Sequence, residues 1–142
     1  MKVHFMGRDT GIPGNTWPDS AKFNTTLDFT LDLPDSQVQC SANWTYQAIS
    51  TAVWSCTDNT ITFQLSPTPD GALADAQWTL TITETAAGDI RHIASKVIEN
   101  NSPGTPDSYL SCMGGPPYDG IRCSLNGWAG QPGPIVLTAS SP

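Results

Sequence analysis

The sequence predicts an all-β domain, an antiparallel barrel or sandwich of about eight to ten short strands with at most one short helix. Three observations support this class. Apolar and polar residues alternate in several short runs, as they do on half-buried strands, and Gly, Pro, Asn and Asp separate those runs. The four cysteines fall into two local pairs. A chain of 142 residues fits one domain, 1–142, with a loop-rich segment at 1–25 and a tail at 139–142.

The strands of the first half follow from alternation and turn residues. A short first strand is predicted at residues 3–5, before a Gly- and Pro-rich loop. The clearest strand begins at Thr26, and Pro34 with Asp35 predicts the turn that ends it. Its apolar side chains alternate with Asp and Thr: Leu27, Phe29, Leu31 and Leu33.

The next two runs each carry a cysteine in phase with apolar residues. Cys40 alternates with Val38, Ala42 and Trp44, and Cys56 follows Trp54 at the same spacing. Four cysteines allow three connectivities. Pairing within each local pair, Cys40 with Cys56 and Cys112 with Cys123, is preferred because it makes the smallest demand on the chain. A bridge that closes about 15 residues stabilises a fold by roughly 3 kcal/mol.

The second half continues the pattern with one ambiguous element. Residues 60–65 and 76–84 alternate as strands do. Residues 90–98 fit a helical stripe as well as a strand, and their β-branched content favours the strand. A hairpin is predicted between residues 109–112 and 121–125, and a last strand at 134–138.

Charge and hydropathy exclude several classes of partner. Six Lys and Arg stand against thirteen Asp and Glu, a net charge of −7 that disfavours nucleic acid and anionic membranes. No apolar stretch approaches the ~20 residues of a membrane span. The start lacks the apolar core of a signal peptide. If the protein is secreted, Lys2 is the expected mature start behind an added Met. Candidate N-glycosylation sites are Asn24, Asn43 and Asn100, the last disfavoured by Pro103.

The sequence does not predict an enzyme. His4 and His92 are its only histidines, no nucleophile elbow is present, and neither histidine has a metal-ligand spacing. Asp28 and Asp32 share one strand face about 13 Å apart, which is too far for a glycosidase pair at about 5–9.5 Å. We therefore expect no catalytic residue, no metal and no cofactor.

The aromatic residues divide into core and loop positions. Trp44, Trp54 and Trp78 are in phase with apolar strand residues and are predicted to lie in the core. Trp17, Tyr118 and Trp128 lie in Gly- and Pro-rich loops, where a ring is either a lid on the core or an exposed contact. These three are the candidate surface-binding residues, because loop aromatics on a β-scaffold are common binding anchors.

Several short motifs together resemble a known family. They are F-x-G-R at Phe5 to Arg8, the strand TLDFTLDL, C-S-A at Cys40, W-S-C at Trp54, and Y-x-x-C-x-G-G from Tyr109 to Gly115 with a later Cys123. In this order they are similar to the Alternaria major-allergen family of small secreted fungal β-barrel proteins, which includes elicitors of plant defence.

The resemblance implies a barrel with two intrachain disulfides, secretion into the plant apoplast or fungal cell wall, and no catalytic residue. It implies an elicitor of the hypersensitive response, recognised by a plant cell-surface or apoplastic protein. Some members dimerise through an additional cysteine, and this chain has no fifth cysteine, so a monomer or a non-covalent dimer is expected. The alternatives are a carrier of a small apolar or phenolic ligand in a tryptophan-lined pocket and a cell-wall glycoside hydrolase.

Overall fold

The computed structural model describes residues 1–6, 17–45 and 49–141 and confirms the all-β prediction. Apart from two three-residue 3-10 turns, Asp19–Ala21 and Ala87–Asp89, the regular elements of the described residues are strands. The nine strands are β1 (Lys2–Phe5), β2 (Thr25–Asp32), β3 (Gln37–Trp44), β4 (Val53–Ser55), β5 (Ile61–Ser66), β6 (Gln77–Thr85), β7 (Arg91–Asn100), β8 (Ser108–Gly114) and β9 (Ile121–Ser124).

The strands form one sheet in the order β3-β2-β1-β9-β8-β7-β6-β5-β4. Neighbouring strands are antiparallel except β7 and β8, which run parallel and pair only at Glu99 with Ser108 and Asn100 with Leu110. The predicted antiparallel architecture holds for the other strand pairs, and this short parallel contact is an addition to it. Because β8 meets only the last residues of β7, no strand among the described residues pairs with the first part of β7 on that side.

The sheet curls until its outer strands, β3 and β4, approach each other and nearly close a barrel. The Cys40–Cys56 disulfide crosses this seam with a Cα–Cα distance of 4.3 Å. Beside it, the Thr57 amide donates a hydrogen bond to the Gln39 carbonyl at 2.9 Å. The second bridge joins Cys112 and Cys123, which face each other on β8 and β9. Both predicted pairings are confirmed.

The alternating residues point into the barrel and form its core. The Phe29 and Phe63 rings meet edge to face at 5.0 Å, and Phe5 meets Trp78 at 6.0 Å. The ambiguous run is strand β7, paired along its length with β6. The side chains buried to 1% exposure or less include Leu27, Ile61, Phe63, Leu65, Trp78, Leu80, Ile98 and Leu110.

Trp54 corrects the prediction of three core tryptophans. Trp44 and Trp78 are buried, at 9% and 1% exposure, whereas Trp54 is only partly buried against the core. Trp54 lies on β4, a three-residue strand at the edge of the sheet with one strand neighbour. An edge strand covers one side of its residues less completely, so this indole keeps some contact with solvent.

The predicted last strand at 134–138 is wrong. Residues 131–140 form an extended segment, here called the strap, that is joined to the sheet backbone at its two ends. The Gln131 amide donates to the Ser108 carbonyl at 2.6 Å, and Ser140 exchanges two backbone hydrogen bonds with Ile93. Pro132 and Pro134 have no N–H to donate to a ladder.

The strap runs beside the part of β7 that β8 leaves uncovered. Its Ile135 and Leu137 pack against the core, while Val136 between them is 70% exposed. The predicted tail at 139–142 is therefore tied to the barrel at Ser140, and residue 142 lies outside the described residues. Within the described part of the chain, the structure contains no helix with the length and hydropathy of a membrane span.

Candidate functional site

An apolar cavity of about 690 Å³ occupies the end of the barrel where β2 ends and β7 begins. Its walls come from β2 and the turn after it, from β5 to β7, from Leu125 and from the strap. A volume between about 300 and 1,000 Å³ with mostly apolar walls is typical of small-molecule sites. The lining side chains include Phe29, Leu31, Leu33, Ile61, Leu80, Ile82, Ala94, Leu125, Ile135 and Leu137.

The cavity follows from the topology of the sheet. Several inward positions of β5, β6 and β7 at this end carry aliphatic or small side chains, such as Ile61, Ile82 and Ala94. The missing contact between β8 and the first part of β7 leaves a gap in the wall. The strap covers this gap with Ile135 and Leu137 but is not a strand of the sheet. The space between these walls is left unfilled by side chains.

Glu84 is the unexpected residue of the cavity wall. Trp78, Leu80 and Ile82 are the buried, inward-facing positions of β6, and Glu84 is the next position with the same phase. Its carboxylate makes no side-chain hydrogen bond or ion pair with any described residue. His92 lies directly opposite Glu84 on β7 and also lines the cavity.

The other polar groups at this end already have partners. The His92 ring nitrogen Nδ1 is hydrogen-bonded to Ser141 Oγ at 3.2 Å. Asp32 lies on the outer face of β2 and accepts a hydrogen bond from Gln37 Nε2 at 2.7 Å. Burial lowers the pKa of the Met1 α-amino group. None of the described lining residues is Lys or Arg, whereas Asp32 and Glu84 carry carboxylates.

A second feature lies at the end of β1 that is away from the cavity. Here His4, Trp17, Phe23 and Tyr118, the aromatic cluster, are in contact. The Trp17 and Tyr118 rings lie 5.4 Å apart, and Phe23 is 6.0 Å from Trp17 and 4.4 Å from the His4 ring. Tyr118 is 48% exposed, whereas Trp17 is partly buried. Two of the three predicted surface aromatics therefore form one patch.

The loop that carries Tyr118 is held tightly against β1. Tyr118 has a φ of +66°, a strained conformation for a non-glycine residue. Gly120, at φ +77°, lies so close to the Phe5 carbonyl that a Cβ would be 2.2 Å from that oxygen. Arg122 donates two hydrogen bonds to Asp119, which lower the pKa of the Asp119 carboxyl, and His4 Nε2 donates to the Asp119 carbonyl at 2.6 Å.

Trp128 does not join the aromatic cluster. Tyr118 precedes β9 and Trp128 follows it, so the two residues lie toward opposite ends of that strand. The Trp128 side chain is 75% exposed. The sequence indicates that both residues lie in loops. The pairing of β9 in the sheet shows that these two loops lie at opposite ends of the strand.

The remaining predicted sites lie on the outer surface. Asn24 and Asn43 are exposed, and their amides are 3.5 Å apart. Asn100 is partly buried and its Nδ2 donates to the Asp75 carbonyl at 2.6 Å, so this amide is less accessible than the other two. Asp28 accepts a hydrogen bond from Ser41 Oγ across β2 and β3.

Sequence reasoning missed both the cavity and Glu84. A tryptophan-lined pocket was predicted for a ligand carrier, and that lining is wrong for this cavity, where Phe29 is the one Phe, Tyr or Trp among the described lining residues. The available signal was Glu84 itself, an acidic residue in phase with the inward face of β6. Comparison with protein-family models, curated proteins and solved structures finds no significant match to this chain.

Proposed function

We propose that this protein binds a small apolar molecule in the cavity between β6, β7 and the strap. The supporting observation is the cavity itself, about 690 Å³ of space lined mainly by aliphatic side chains. Protein interiors are otherwise close-packed, and an unfilled apolar cavity of this size lowers stability. A ligand that fills it recovers those contacts and removes its own apolar surface from water.

The probe N-phenyl-1-naphthylamine tests this proposal, because it is uncharged and fluoresces strongly in apolar surroundings. We expect saturable binding to the wild-type protein. Ala94→Trp places an indole in the cavity and should weaken binding at least about tenfold, which corresponds to about 1.4 kcal/mol. Ala76→Trp adds the same side chain at an exposed residue that does not line the cavity and serves as the matched control.

Thermal unfolding of each variant shows whether it is folded. Equal binding by wild type, Ala94→Trp and Ala76→Trp would place the probe elsewhere on the protein and contradict the proposal. Absence of binding to the folded wild-type protein would contradict it as well.

The second candidate is a secreted elicitor of plant defence that is recognised by a plant surface or apoplastic protein. The observation that favours it is the aromatic cluster, where Trp17 contacts Tyr118 on the loop held by Gly120. Exposed aromatic side chains on a rigid scaffold are frequent centres of protein interfaces. The two disulfides suit an oxidising, extracellular compartment.

Infiltration of purified protein into leaves tests this candidate. We expect cell death or a defence burst, with the double variant Trp17→Ala and Tyr118→Ala needing at least about tenfold more protein for the same response. Trp128→Ala is the control, since it removes an exposed aromatic outside the aromatic cluster. No response to the wild-type protein, or an equal response to reduced and unfolded protein, would contradict the elicitor function.

A further inference from the structure

The unpaired carboxylate of Glu84 indicates which ligands the cavity selects, an inference that rests on the proposed function. The three inward residues before Glu84 on β6 are buried: Trp78, Leu80 and Ile82. An apolar side chain at residue 84 would continue the core toward the end of the barrel. Glu84 instead borders the apolar cavity and has no side-chain hydrogen bond or ion pair with the part of the chain that the structure describes.

A carboxylate beside an apolar space raises the free energy of the folded protein unless water or an opposite charge compensates its charge. Glu84 is partly exposed, so water reaches its carboxylate when no ligand fills the cavity. A ligand that fills the cavity displaces part of this water. The ligand must then replace the lost hydrogen bonds, and a group that donates them and carries a positive charge does so best.

The charged groups around Glu84 support a cationic ligand. Asp32 at the rim adds a second negative charge. His92 faces Glu84 and is hydrogen-bonded to Ser141. Lys96 on β7 forms an ion pair with Asp107 at 3.3 Å and does not line the cavity. A carboxylate ligand would meet the like charges of Glu84 and Asp32 here and would find no Lys or Arg among the described lining residues.

We infer that the cavity selects apolar amines, with the hydrocarbon or ring part between β6, β7 and the strap and the protonated amine at Glu84. The amine donates hydrogen bonds to the Glu84 carboxylate at the cavity mouth. Phe29, Ile82 and Leu137 contact the apolar part. Apolar carboxylic acids of the same length are excluded by charge, and the corresponding alcohols bind with intermediate strength.

Competition against N-phenyl-1-naphthylamine tests the selectivity with three ligands of equal chain length: decylamine, decanol and decanoate. At about pH 8.5 histidine side chains are in general largely uncharged, whereas alkylamines remain protonated. We expect decylamine to compete roughly tenfold more strongly than decanol, because the free energy of a partly exposed ion pair is of this magnitude. Decanoate should compete least.

Two variants separate the role of Glu84 from the net charge of the protein. Glu84→Gln should lower the preference for decylamine over decanol to less than about threefold, with the probe's own affinity measured separately in each variant. Glu99→Gln removes the same charge from β7 at a residue that does not line the cavity and should keep the wild-type preference. Raising the salt concentration should weaken the binding of decylamine more than the binding of decanol.

Each outcome has a definite meaning. Probe binding without any preference among the three ligands, or an unchanged preference in Glu84→Gln, would overturn the amine inference and leave the proposed function standing. Preference for decanoate would overturn it too. If the probe fails to bind the wild-type protein, the proposed function fails first, and direct calorimetric titration with decylamine then decides whether the cavity takes an amine at all.

Discussion

Replacing Cys40 and Cys56 by alanine is expected to lower the free energy of unfolding by about 3 kcal/mol. The bridge closes a loop with a sequence separation of 16 residues, and cross-links of that length restrict the unfolded chain by about this amount. Both cysteines are buried, at 1% and 6% exposure, so the alanine variant also loses core contacts. Chemical denaturation of the variant under non-reducing conditions measures the change.

The bridge between Cys112 and Cys123 is the matched control, because it closes a loop of similar length at a different place in the barrel. It has a similar separation, 11 residues, and its removal should cost a comparable free energy of unfolding, again about 3 kcal/mol. It links β8 and β9, which the sheet already pairs through four registered positions. The Cys40–Cys56 bridge instead holds the seam between β3 and β4.

Hydrogen exchange distinguishes the two variants. Loss of Cys40–Cys56 should speed exchange of the Thr57 amide, which bonds to Gln39 across the seam, because the seam opens locally. Loss of Cys112–Cys123 should leave that amide protected. Equal protection of Thr57 in both variants would mean that the barrel does not depend on the bridge for closure.

The second large effect is expected from Trp78→Ala, which should lower the free energy of unfolding by about 3–5 kcal/mol. Trp78 is 1% exposed and its ring meets Phe5 across the barrel at 6.0 Å. Its removal leaves a cavity in the packed part of the core, away from the candidate binding site. Urea or guanidinium unfolding gives the change directly.

Trp78→Phe is expected to cost less, about 1–2 kcal/mol. The Trp78 indole Nε1 is buried and has no hydrogen-bond partner among the described residues. Phenylalanine therefore removes a buried polar group without breaking a hydrogen bond, and it keeps most of the ring contacts. Trp128→Ala, at a residue 75% exposed, should change the free energy of unfolding by less than about 0.5 kcal/mol. Equal losses for the alanine and phenylalanine variants at residue 78 would contradict this explanation.

Alternation and local cysteine pairing predicted much of the barrel. The residues of β2 alternate so regularly that the pattern alone assigns Leu27 and Phe29 to the core, where both are buried. The strand interpretation of residues 90–98 was right because β6 supplies a full-length partner for β7. These elements are decided by local pattern and by the nearest strand in sequence.

The strap and the parallel pair could not be predicted in this way. Residues 134–138 are as apolar as a strand, but Pro132 and Pro134 lack the N–H group that a strand ladder needs. Among the described residues, the backbone hydrogen bonds between the strap and β7 are those of Ser140 with Ile93. The parallel contact of β7 with β8 depends on how the loop between Asn100 and Ser108 returns the chain. Both features are set by tertiary packing, which a local pattern does not describe.

The cavity escaped prediction for the same reason. Its wall is assembled from Phe29, Ile61, Ile82, Ala94 and Leu137, which are distant in the sequence and individually resemble ordinary core residues. Only Glu84 departs from the core pattern, and a single acidic residue near a strand end is usually a solvated one. Its position beside the cavity depends on the strand order, which brings β2, β7 and the strap to the same end of the barrel as residue 84.

A crystal structure of the protein with N-phenyl-1-naphthylamine bound tests the central proposal most directly. The proposal predicts density for the probe between β6, β7 and the strap, in contact with Ile82, Ala94 and Leu137. Density for the probe only on the outer surface, with the lining side chains collapsed into the space of about 690 Å³, would contradict it.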